Sequence, residues 1–240
     1  MNDGIGSILG IIPARAGSKG VPRKNVRLVG DKPMVAWTWT AARAAPSISR
    51  LIVSTDDLEV EKLAKSAGID VPFRRPSELA GDTVSAFAVV EHALSWLEHN
   101  EAYRPDYVFW LQPTSPLRTT ADIETAVALA SERNASAIVG VYPVNKHPYW
   151  MKKLLPDGSI ENFMPLDREY NRRQDMPIVY AISGAVYLIR REVLLEQKTF
   201  FPKGALAYVM PAERSLDVDS LSDLHLIDLI LRDKVSNEST

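Results

Sequence analysis

The stretch IIPARAGSKGVPRKN, residues 11–25, decides how the fold is interpreted. It begins as an apolar run and changes at a proline into a loop with two glycines and four basic side chains, Arg15, Lys19, Arg23 and Lys24. A short apolar run that ends in this way is typical of a central strand. The backbone N–H groups of a glycine-rich turn can converge on an anion, and lysine or arginine adds charge. The stretch therefore predicts a first strand followed by a phosphate-binding loop, with a solvated basic loop as the alternative.

Strand and helix patterns alternate along the chain after this stretch. Apolar runs predict strands within residues 7–14, 50–57, 71–75, 106–118, 136–144, 178–190 and 206–211. Helical apolar spacing, with Pro33, Thr119 or Thr120 as start signals and Gly68 as a stop signal, predicts helices within residues 32–45, 57–68, 83–100, 119–134 and 220–233. Such alternation favours right-handed crossovers between parallel strands. We therefore expect an α/β, Rossmann-like fold with a mostly parallel twisted sheet and helices on both faces.

Three polar loops follow predicted strands on the carboxyl side, at residues 14–20, 54–57 and 112–118. Ligands of parallel sheets bind beyond the carboxyl ends of the strands. We therefore expect the three loops to form one mouth. Asp56, in the second loop, either belongs to this mouth or caps the next helix.

The third loop, QPTSPLR, carries hydrogen-bonding groups on a restrained backbone. Its two prolines limit the backbone, Gln112, Thr114 and Ser115 supply neutral donors and acceptors, and Arg118 supplies a cation. This combination suits a polyhydroxylated ligand. A rigid connecting loop is the alternative.

The segment LDVDS, residues 216–220, is a candidate metal site. Asp217 and Asp219 alternate along an extended segment, so both can face the same side. Two close carboxylates favour a cation between them, and Mg²⁺ binds one or two carboxylates together with substrate phosphates. The alternative is a helix N-terminus at which Asp219, Ser220 or Ser222 is the cap.

Composition limits the classes of function. The chain has 240 residues, 46% of them hydrophobic, and we expect one domain that spans residues 1–240. With 28 basic and 30 acidic residues, the net charge of −2 gives no general attraction to nucleic acid or to an anionic membrane. There are no cysteines, which excludes thiol chemistry and cysteine-ligated zinc. The N-terminal residues lack a signal-peptide pattern, so we expect a cytoplasmic protein without a membrane partner.

One section interrupts the alternation of strands and helices. Residues 145–176 contain several prolines, many charges and the turn signal Asp157-Gly158. We interpret this section as a hairpin-like excursion that serves as a lid or a dimerisation arm.

Together these segments resemble one family. Six stretches carry the resemblance, and they occur in the family's order: IIPARAGSKGVPRKN, IVSTDD, RPSELAGDTVS, LQPTSPLR, SGAVY and LDVDS. The sequence is similar to the acylneuraminate cytidylyltransferases, the CMP-sugar synthetases that activate nine-carbon 2-keto acids. The resemblance implies a fold of the nucleotide-diphospho-sugar transferase type with a small inserted excursion, and a homodimer.

The resemblance also implies a reaction. CTP and a nine-carbon 3-deoxy-2-ulosonic acid give the CMP-sugar and pyrophosphate, as the anomeric hydroxyl attacks the α-phosphorus in line. The protein would act by positioning and by neutralising charge, with Mg²⁺ on the triphosphate.

Roles for individual residues follow from the resemblance alone. It implies nucleotide binding by Arg15, Ser18, Lys19, Lys24, Asn25, Arg75 and Ser85. It implies sugar binding by Gln112 and Arg173, and Mg²⁺ binding by Asp217 and Asp219. It implies catalytic roles for Arg15, Lys19 and Asp217.

Two positions depart from the family pattern. Typical sialate enzymes have an asparagine where this chain has Ser183, and often a polar or basic residue where it has Ala181. Both lie in the part of the sequence that implies sugar binding, so sialic, legionaminic, pseudaminic and deaminated nonulosonic acids stay open as substrates. A CMP-Kdo synthetase, another sugar nucleotidyltransferase and a non-catalytic nucleotide-binding relative are the alternatives.

Overall fold

A six-stranded sheet lies at the centre of the computed structural model, which describes residues 5–17, 20–165, 170 and 172–238, without the side chains of residues 173 and 235–238. The described strands are β1 (Ile8–Pro13), β2 (Leu28–Val29), β3 (Lys32–Pro33), β4 (Arg50–Ser54), β5 (Tyr107–Trp110), β6 (Ala137–Pro143), β7 (Lys152–Leu154), β8 (Ile160–Asn162), β9 (Tyr180–Arg190) and β10 (Leu206–Val209). The described helices are α1 (Met34–Arg43), α2 (Leu58–Ser66), α3 (Ala86–Glu101), α4 (Thr120–Glu132), α5 (Arg191–Gln197) and α6 (Leu221–Glu238). None of these described helices combines the length with the apolar character that a membrane span requires.

The central sheet is mostly parallel, as the alternation of strands and helices predicts. Its strand order is β10-β6-β9-β5-β1-β4, and the β1–β4, β1–β5 and β10–β6 pairs are parallel. Strand β9 is antiparallel to both of its neighbours, β5 and β6. Since β9 follows β6 along the chain, residues 144–179 connect the two as a long hairpin connection, which only antiparallel neighbours allow.

Helices cover both faces of the sheet and bury two apolar cores. Side chains alternate along β1, so that Ile8 and Ile12 pack against α1, α2 and α4 on one face, while Leu9 and Ile11 pack against α3 on the other. A strand buried on both faces reads as a continuous apolar run. This burial explains why the start of the chain has the apolar sequence ILGII before its cationic loop.

The expected strand at residues 71–75 does not form, and that prediction is wrong. The segment makes isolated bridges instead, from Asp70 to Ile52 and from Arg74 to Thr55, along the edge of β4. Pro72 lies between the two bridges and has no N–H to donate to a ladder. The segment therefore touches the sheet edge at two points without becoming a strand.

The section at residues 145–176 contains a hairpin. Strands β7 and β8 pair antiparallel, with Leu154 opposite Ile160. The turn between them contains Asp157, whose side chain accepts from the backbone N–H of Ser159 at 3.0 Å, and Gly158 with φ of +85°. The turn signal Asp157-Gly158 thus lies in the turn of a β-hairpin, and the role of the section as a lid or dimerisation arm stays a prediction.

Candidate functional site

The first and third predicted loops, which follow β1 and β5, border a cleft of about 300 Å³. Its described lining includes five residues that the resemblance assigns to ligand binding: Arg15, Lys24, Asn25, Arg75 and Gln112. Residues 54–57, the second loop, are not part of this lining and contact it from behind, through Asp56 and Ser54. The expected mouth is thus formed by the first and third loops, with the second loop as support.

Two polar side chains hold the backbone of the first loop. Asp56 accepts from the backbone N–H of Ala16 at 2.9 Å, and the side-chain amide of Asn25 donates to the carbonyl of Arg15 at 3.0 Å. Asp57, rather than Asp56, caps α2 by accepting from the N–H of Glu59. Asp56 therefore belongs to the mouth, where it supports the cationic loop.

Only some of the basic side chains of the first loop turn toward the cleft. Lys24 reaches the LDVDS segment, with its Nζ at 2.5 Å from the carbonyl oxygen of Val218 and at 3.9 Å from Oδ1 of Asp219. Burial lowers the pKa of Lys24, and the charges of the nearby carboxylates oppose that shift. Arg23 has φ of +56° and pairs with Glu59 on α2, so its charge is directed away from the cleft.

A glycine lets the first loop approach the LDVDS segment. A Cβ placed on Gly20 would lie 2.1 Å from the carbonyl oxygen of Asp219, a distance at which real atoms overlap. The segment is also tied to the third loop, because the N–H of Val218 donates to the carbonyl of Thr114 at 2.9 Å. These contacts bring the cationic loop and the two aspartates to the same place.

Arg75 is a buried cation at the floor of the cleft. Its side chain is 4% exposed, and it donates from Nε to Ser54 Oγ at 3.0 Å and from Nη2 to the Ser54 carbonyl at 2.5 Å. Burial lowers the pKa of Arg75 to about 10, with Asp56 opposing the shift. No carboxylate of the described residues forms an ion pair with this guanidinium. A ligand anion can therefore supply the missing counter-charge.

A second cleft of about 520 Å³ adjoins the first at Gln112. Its described lining includes Tyr142, Ser183, Tyr187 and both predicted metal-binding residues, Asp217 and Asp219. Gln112, which the resemblance assigns to the sugar, lines both clefts. The arrangement provides one compartment bordered by cations and a neighbouring compartment bordered by carboxylates.

Asp217 carries its charge in a partly buried position. Burial raises its pKa, the charge of Asp219 adds to that shift, and a hydrogen bond from Thr114 and the charge of Lys24 oppose it. The hydroxyl of Ser115 lies 3.4 Å from Oδ1 of Asp217. Gly184, with φ of +73°, lies against these groups, since a Cβ there would be only 3.2 Å from Ser115 Oγ and 3.3 Å from Gln112 Oε1.

The alternative in which LDVDS only caps a helix is resolved by the hydrogen bonds. Ser220 and Asp223 bond reciprocally: the backbone N–H of Ser220 donates to Asp223 Oδ2 at 2.8 Å, and the N–H of Asp223 donates to Ser220 Oγ at 3.2 Å. This pair is a capping box at the start of α6. The carboxylates of Asp217 and Asp219 are not needed as the cap.

The donor set suits a magnesium ion that also binds phosphate. Among the described residues no cluster of three or more histidine or acidic side chains could hold a metal ion. Asp217 and Asp219 line one cleft and repel each other, and a cation between them would relieve this repulsion. Mg²⁺ is commonly held by one or two carboxylates, with phosphate and water as the remaining ligands. The two residues therefore fit such an ion when a nucleotide is bound.

Arg118 does not face a ligand, which corrects the expectation from the loop sequence. Its side chain is 3% exposed, and its Nη2 donates to the carbonyl of Gln112 at 2.7 Å. Burial lowers its pKa to about 10. The guanidinium thus lies beneath the loop and fixes the backbone that carries Gln112.

Of the remaining predicted site residues, one lies next to the first cleft and the others lie outside the described part of the chain. Ser85 is the N-cap of α3, where its hydroxyl accepts from the N–H of Ala88 at 3.1 Å, between the cleft-lining residues Val84 and Ala86. Ser18 and Lys19 lie outside the described residues, as does the side chain of Arg173. Their roles stay predictions.

Sequence reasoning missed Asp82, a carboxylate that lines the first cleft. Its Oδ1 lies 2.5 Å from Nη1 of Arg15. The signal was present, because Asp82 belongs to RPSELAGDTVS, one of the six stretches that carry the resemblance. Tyr142 and Tyr187 were also missed, since nothing local marks an aromatic strand residue as part of a cleft.

The fold and the paired clefts define an α/β protein of the nucleotide-diphospho-sugar transferase type. A solved structure of a CMP:2-keto-3-deoxy-manno-octonic acid synthetase complexed with CTP is similar in fold, with a TM-score of 0.68 and 18% identity, over 95% of this chain and 99% of that chain. The cytidylyltransferase family model matches residues 9–206. The chain belongs to the cytidylyltransferase family.

Two curated relatives are similar in sequence. An N-acylneuraminate cytidylyltransferase of Escherichia coli is 37% identical over 95% of this chain and 52% of its own length. A CMP-N,N'-diacetyllegionaminic acid synthase of Legionella pneumophila is 31% identical over 93% of this chain and 96% of its own length. The chain therefore spans about half of the first relative and nearly all of the second.

Proposed function

We propose that the protein transfers CMP from CTP to the anomeric hydroxyl of a nine-carbon 2-keto-3-deoxy sugar acid and releases pyrophosphate. One observation carries the proposal: a cleft lined by Arg15, Lys24 and Arg75 shares Gln112 with a neighbouring cleft lined by Asp217 and Asp219. The first compartment suits an anionic nucleotide and the second a polar co-substrate with a metal ion. Membership of the cytidylyltransferase family and the two named relatives support this assignment.

The residues of the first cleft receive the nucleotide in this proposal. Lys19 and Lys24 meet the phosphates, and Arg15 neutralises the charge that develops near the α- and β-phosphates. Ser18 and Asn25 hold the loop and its ligand, while Arg75 contacts the nucleotide and Ser85 its base or ribose. The protein acts by holding the α-phosphorus in line with the attacking hydroxyl, which requires no covalent intermediate.

Asp217 and Asp219 hold Mg²⁺ in this proposal. When bound, the ion neutralises triphosphate charge and lowers the barrier to deprotonating the attacking hydroxyl. Ser115 and Thr114 orient the Asp217 carboxylate through hydrogen bonds. Lys24 balances part of the negative charge from the other side.

The second cleft receives the sugar acid. Gln112 contacts the sugar, and Arg173 is assigned to its carboxylate. Ser183, which is 1% exposed, has its hydroxyl directed toward Gly140, because a Cβ on that glycine would lie 2.5 Å from Ser183 Oγ. A buried hydroxyl thus stands where a typical sialate enzyme has an asparagine, and sialic, legionaminic, pseudaminic and deaminated nonulosonic acids are the candidate substrates.

The protein is proposed to act in the cytoplasm as a homodimer, without nucleic-acid or membrane partners. The hairpin of β7 and β8 supports the dimer, since all six of its strand residues are exposed and two of them, Leu154 and Ile160, are large and apolar. A two-stranded hairpin rarely persists in water unless it packs against something.

Pyrophosphate release tests the proposed reaction. The protein would be incubated with CTP, Mg²⁺ and, in turn, N-acetylneuraminic, legionaminic, pseudaminic, deaminated nonulosonic and Kdo acids. Release with a nine-carbon acid is expected and identifies the sugar. Release with Kdo alone would favour the eight-carbon alternative, and CTP binding without any release would favour a non-catalytic relative.

A further inference from the structure

A carboxylate lines the cleft that is otherwise bordered by cations. Asp82 follows the 3-10 turn Ser77–Leu79 and lines the same cleft as Arg15, Lys24 and Arg75. It is the one acidic residue among the described residues of that lining. A negative charge beside a triphosphate weakens binding by repulsion. The position of Asp82 therefore calls for a function that outweighs this cost.

Asp82 holds the guanidinium of Arg15 across the mouth of the cleft. Nη1 of Arg15 lies 2.5 Å from Oδ1 of Asp82, and the carbonyl of Ala80 lies at 3.5 Å from the same nitrogen. Arg15 belongs to the loop after β1 and Asp82 to the loop before α3, so the pair connects two walls of the cleft. The two side chains are 33% and 34% exposed, and water and salt can therefore compete for this pair.

We propose that Asp82 is a displaceable counter-anion for Arg15. It holds the guanidinium while the cleft is empty, yields it to the α- and β-phosphates of the incoming nucleotide, and recaptures it as pyrophosphate leaves. The inference rests on the proposed function, since it assigns the ligand of Arg15 to a polyphosphate. Asp82 is a positioning residue here, because it acts through Arg15 and not on the substrate.

The competition sets a measurable penalty on polyphosphate binding. The Arg15 guanidinium cannot pair with the Asp82 carboxylate and with the phosphates at the same time. Breaking the Arg15–Asp82 pair therefore reduces the net free energy of polyphosphate binding. A partly exposed pair of this kind changes a binding constant by up to about fivefold. The same competition speeds the departure of pyrophosphate, which would otherwise be retained by several cations.

Titration calorimetry with Mg²⁺-pyrophosphate and Mg²⁺-CTP tests the proposal. We expect Asp82→Asn and Asp82→Ala to bind pyrophosphate about two- to fivefold more tightly than the wild type, with stronger product inhibition during turnover. Glu78→Gln is the matched control, because it removes the same charge from an exposed position of the same loop and should leave the affinity unchanged. Thermal unfolding of each variant verifies that it is folded.

The link to Arg15 is tested by a double mutant. In an Arg15→Ala background the additional Asp82→Asn substitution should no longer tighten pyrophosphate binding. A gain that persists in that background, or weaker binding by both folded Asp82 variants, would overturn the proposal. Failure of the reaction is distinguishable from failure of this inference, because the binding comparison needs no sugar acid and no turnover.

Discussion

Asp217 and Arg75 each hold a charge where water reaches only partly. Burial raises the pKa of the Asp217 carboxyl and lowers the pKa of the Arg75 guanidinium, so in both cases the protein disfavours the charged form. Each residue also lines a cleft in which a ligand can supply the opposite charge. A ligand group of opposite charge would offset the cost of burying each of these charges, and this favours ligand binding.

We expect Asp217→Asn to abolish turnover and to raise the thermal stability of the ligand-free protein at neutral pH. The pKa of Asp217 is higher in the folded than in the unfolded state, so the folded protein binds the proton more strongly. The stability of the wild type therefore falls as the pH rises from the unfolded-state pKa to the folded-state pKa. Above both pKa values the stability stays lower than it is in acid. The gain in Tm should therefore shrink as pH falls toward the ordinary value of 3.8. Calorimetric scans at several pH values measure it.

Asp219→Asn is the control for this stability effect. The side chain of Asp219 is 82% exposed, so its removal relieves only the repulsion of Asp217 and no burial, and we expect turnover to fall with a smaller rise in Tm than for Asp217→Asn. An Asp217→Asn protein that is less stable than the wild type at neutral pH would contradict the direction of the pKa shift.

We expect Arg75→Met to raise the KM for CTP by about 10- to 100-fold, because charged hydrogen bonds contribute about 1.5–3 kcal/mol. The ligand-free protein should stay folded, since the substitution removes a buried guanidinium without an ionic partner among the described residues. Arg74→Met is the control. Arg74 is 56% exposed and pairs with Glu61 on the surface, so its loss should leave the KM unchanged. Equal effects of the two variants would refute the special role of Arg75.

At the scale of elements, the first loop and the LDVDS segment touch without room for a side chain. We expect Gly20→Ala to lower stability by about 1–3 kcal/mol and to reduce activity sharply, because its Cβ would overlap the carbonyl oxygen of Asp219. Gly17→Ala is the control for stability, since a Cβ there has its nearest neighbour at 3.9 Å. Urea unfolding of the two variants gives the comparison, and equal losses would argue against a close approach at Gly20.

The sequence predicted most elements because their local signals agree with the fold. Helix α4 begins at Thr119 with a capping box, and β1 is apolar because both of its faces are buried. Helix α5 was not predicted, because it follows β9 directly and Arg190 at its N-cap makes no side-chain capping bond. The reversal of β9 was not predicted either, since parallel and antiparallel strands share the same apolar pattern.

Most site residues could be predicted only through the resemblance to a family. Taken alone, the cations after the glycine-rich turn left a solvated loop as the alternative for Lys24, and the alternating carboxylates of the LDVDS segment left a helix cap as the alternative to a metal site at Asp217. Tertiary contacts determine which of the remaining cations face the cleft. Arg118 lies beneath its loop and Arg23 pairs with Glu59 on α2, although the sequence suggested ligand binding for both. Long-range pairs such as Arg15 with Asp82 leave no periodic signal.

At the scale of the whole molecule, a group of apolar side chains is left on the surface between β6 and β9. Leu154 is 76% exposed and lies opposite Ile160, which is 65% exposed, so both are on one face of the hairpin. Further large apolar residues of this section are exposed as well: Trp150, Met151, Phe163, Met164 and Ile178. A concentration of exposed large apolar side chains in one section is more typical of an interface with another protein than of a free surface.

We expect the double variant Leu154→Glu and Ile160→Glu to convert a dimer into a monomer, because two carboxylates would face the apolar surface of the partner without counter-charges. Sedimentation equilibrium of the wild type and the variant at micromolar concentration measures the change. Leu58→Glu is the matched control, since Leu58 is 63% exposed on α2, away from the hairpin, and its substitution should leave the dimer intact. A wild-type protein that sediments as a monomer would refute the dimer, and a double variant that stays dimeric would place the interface on another surface of the molecule.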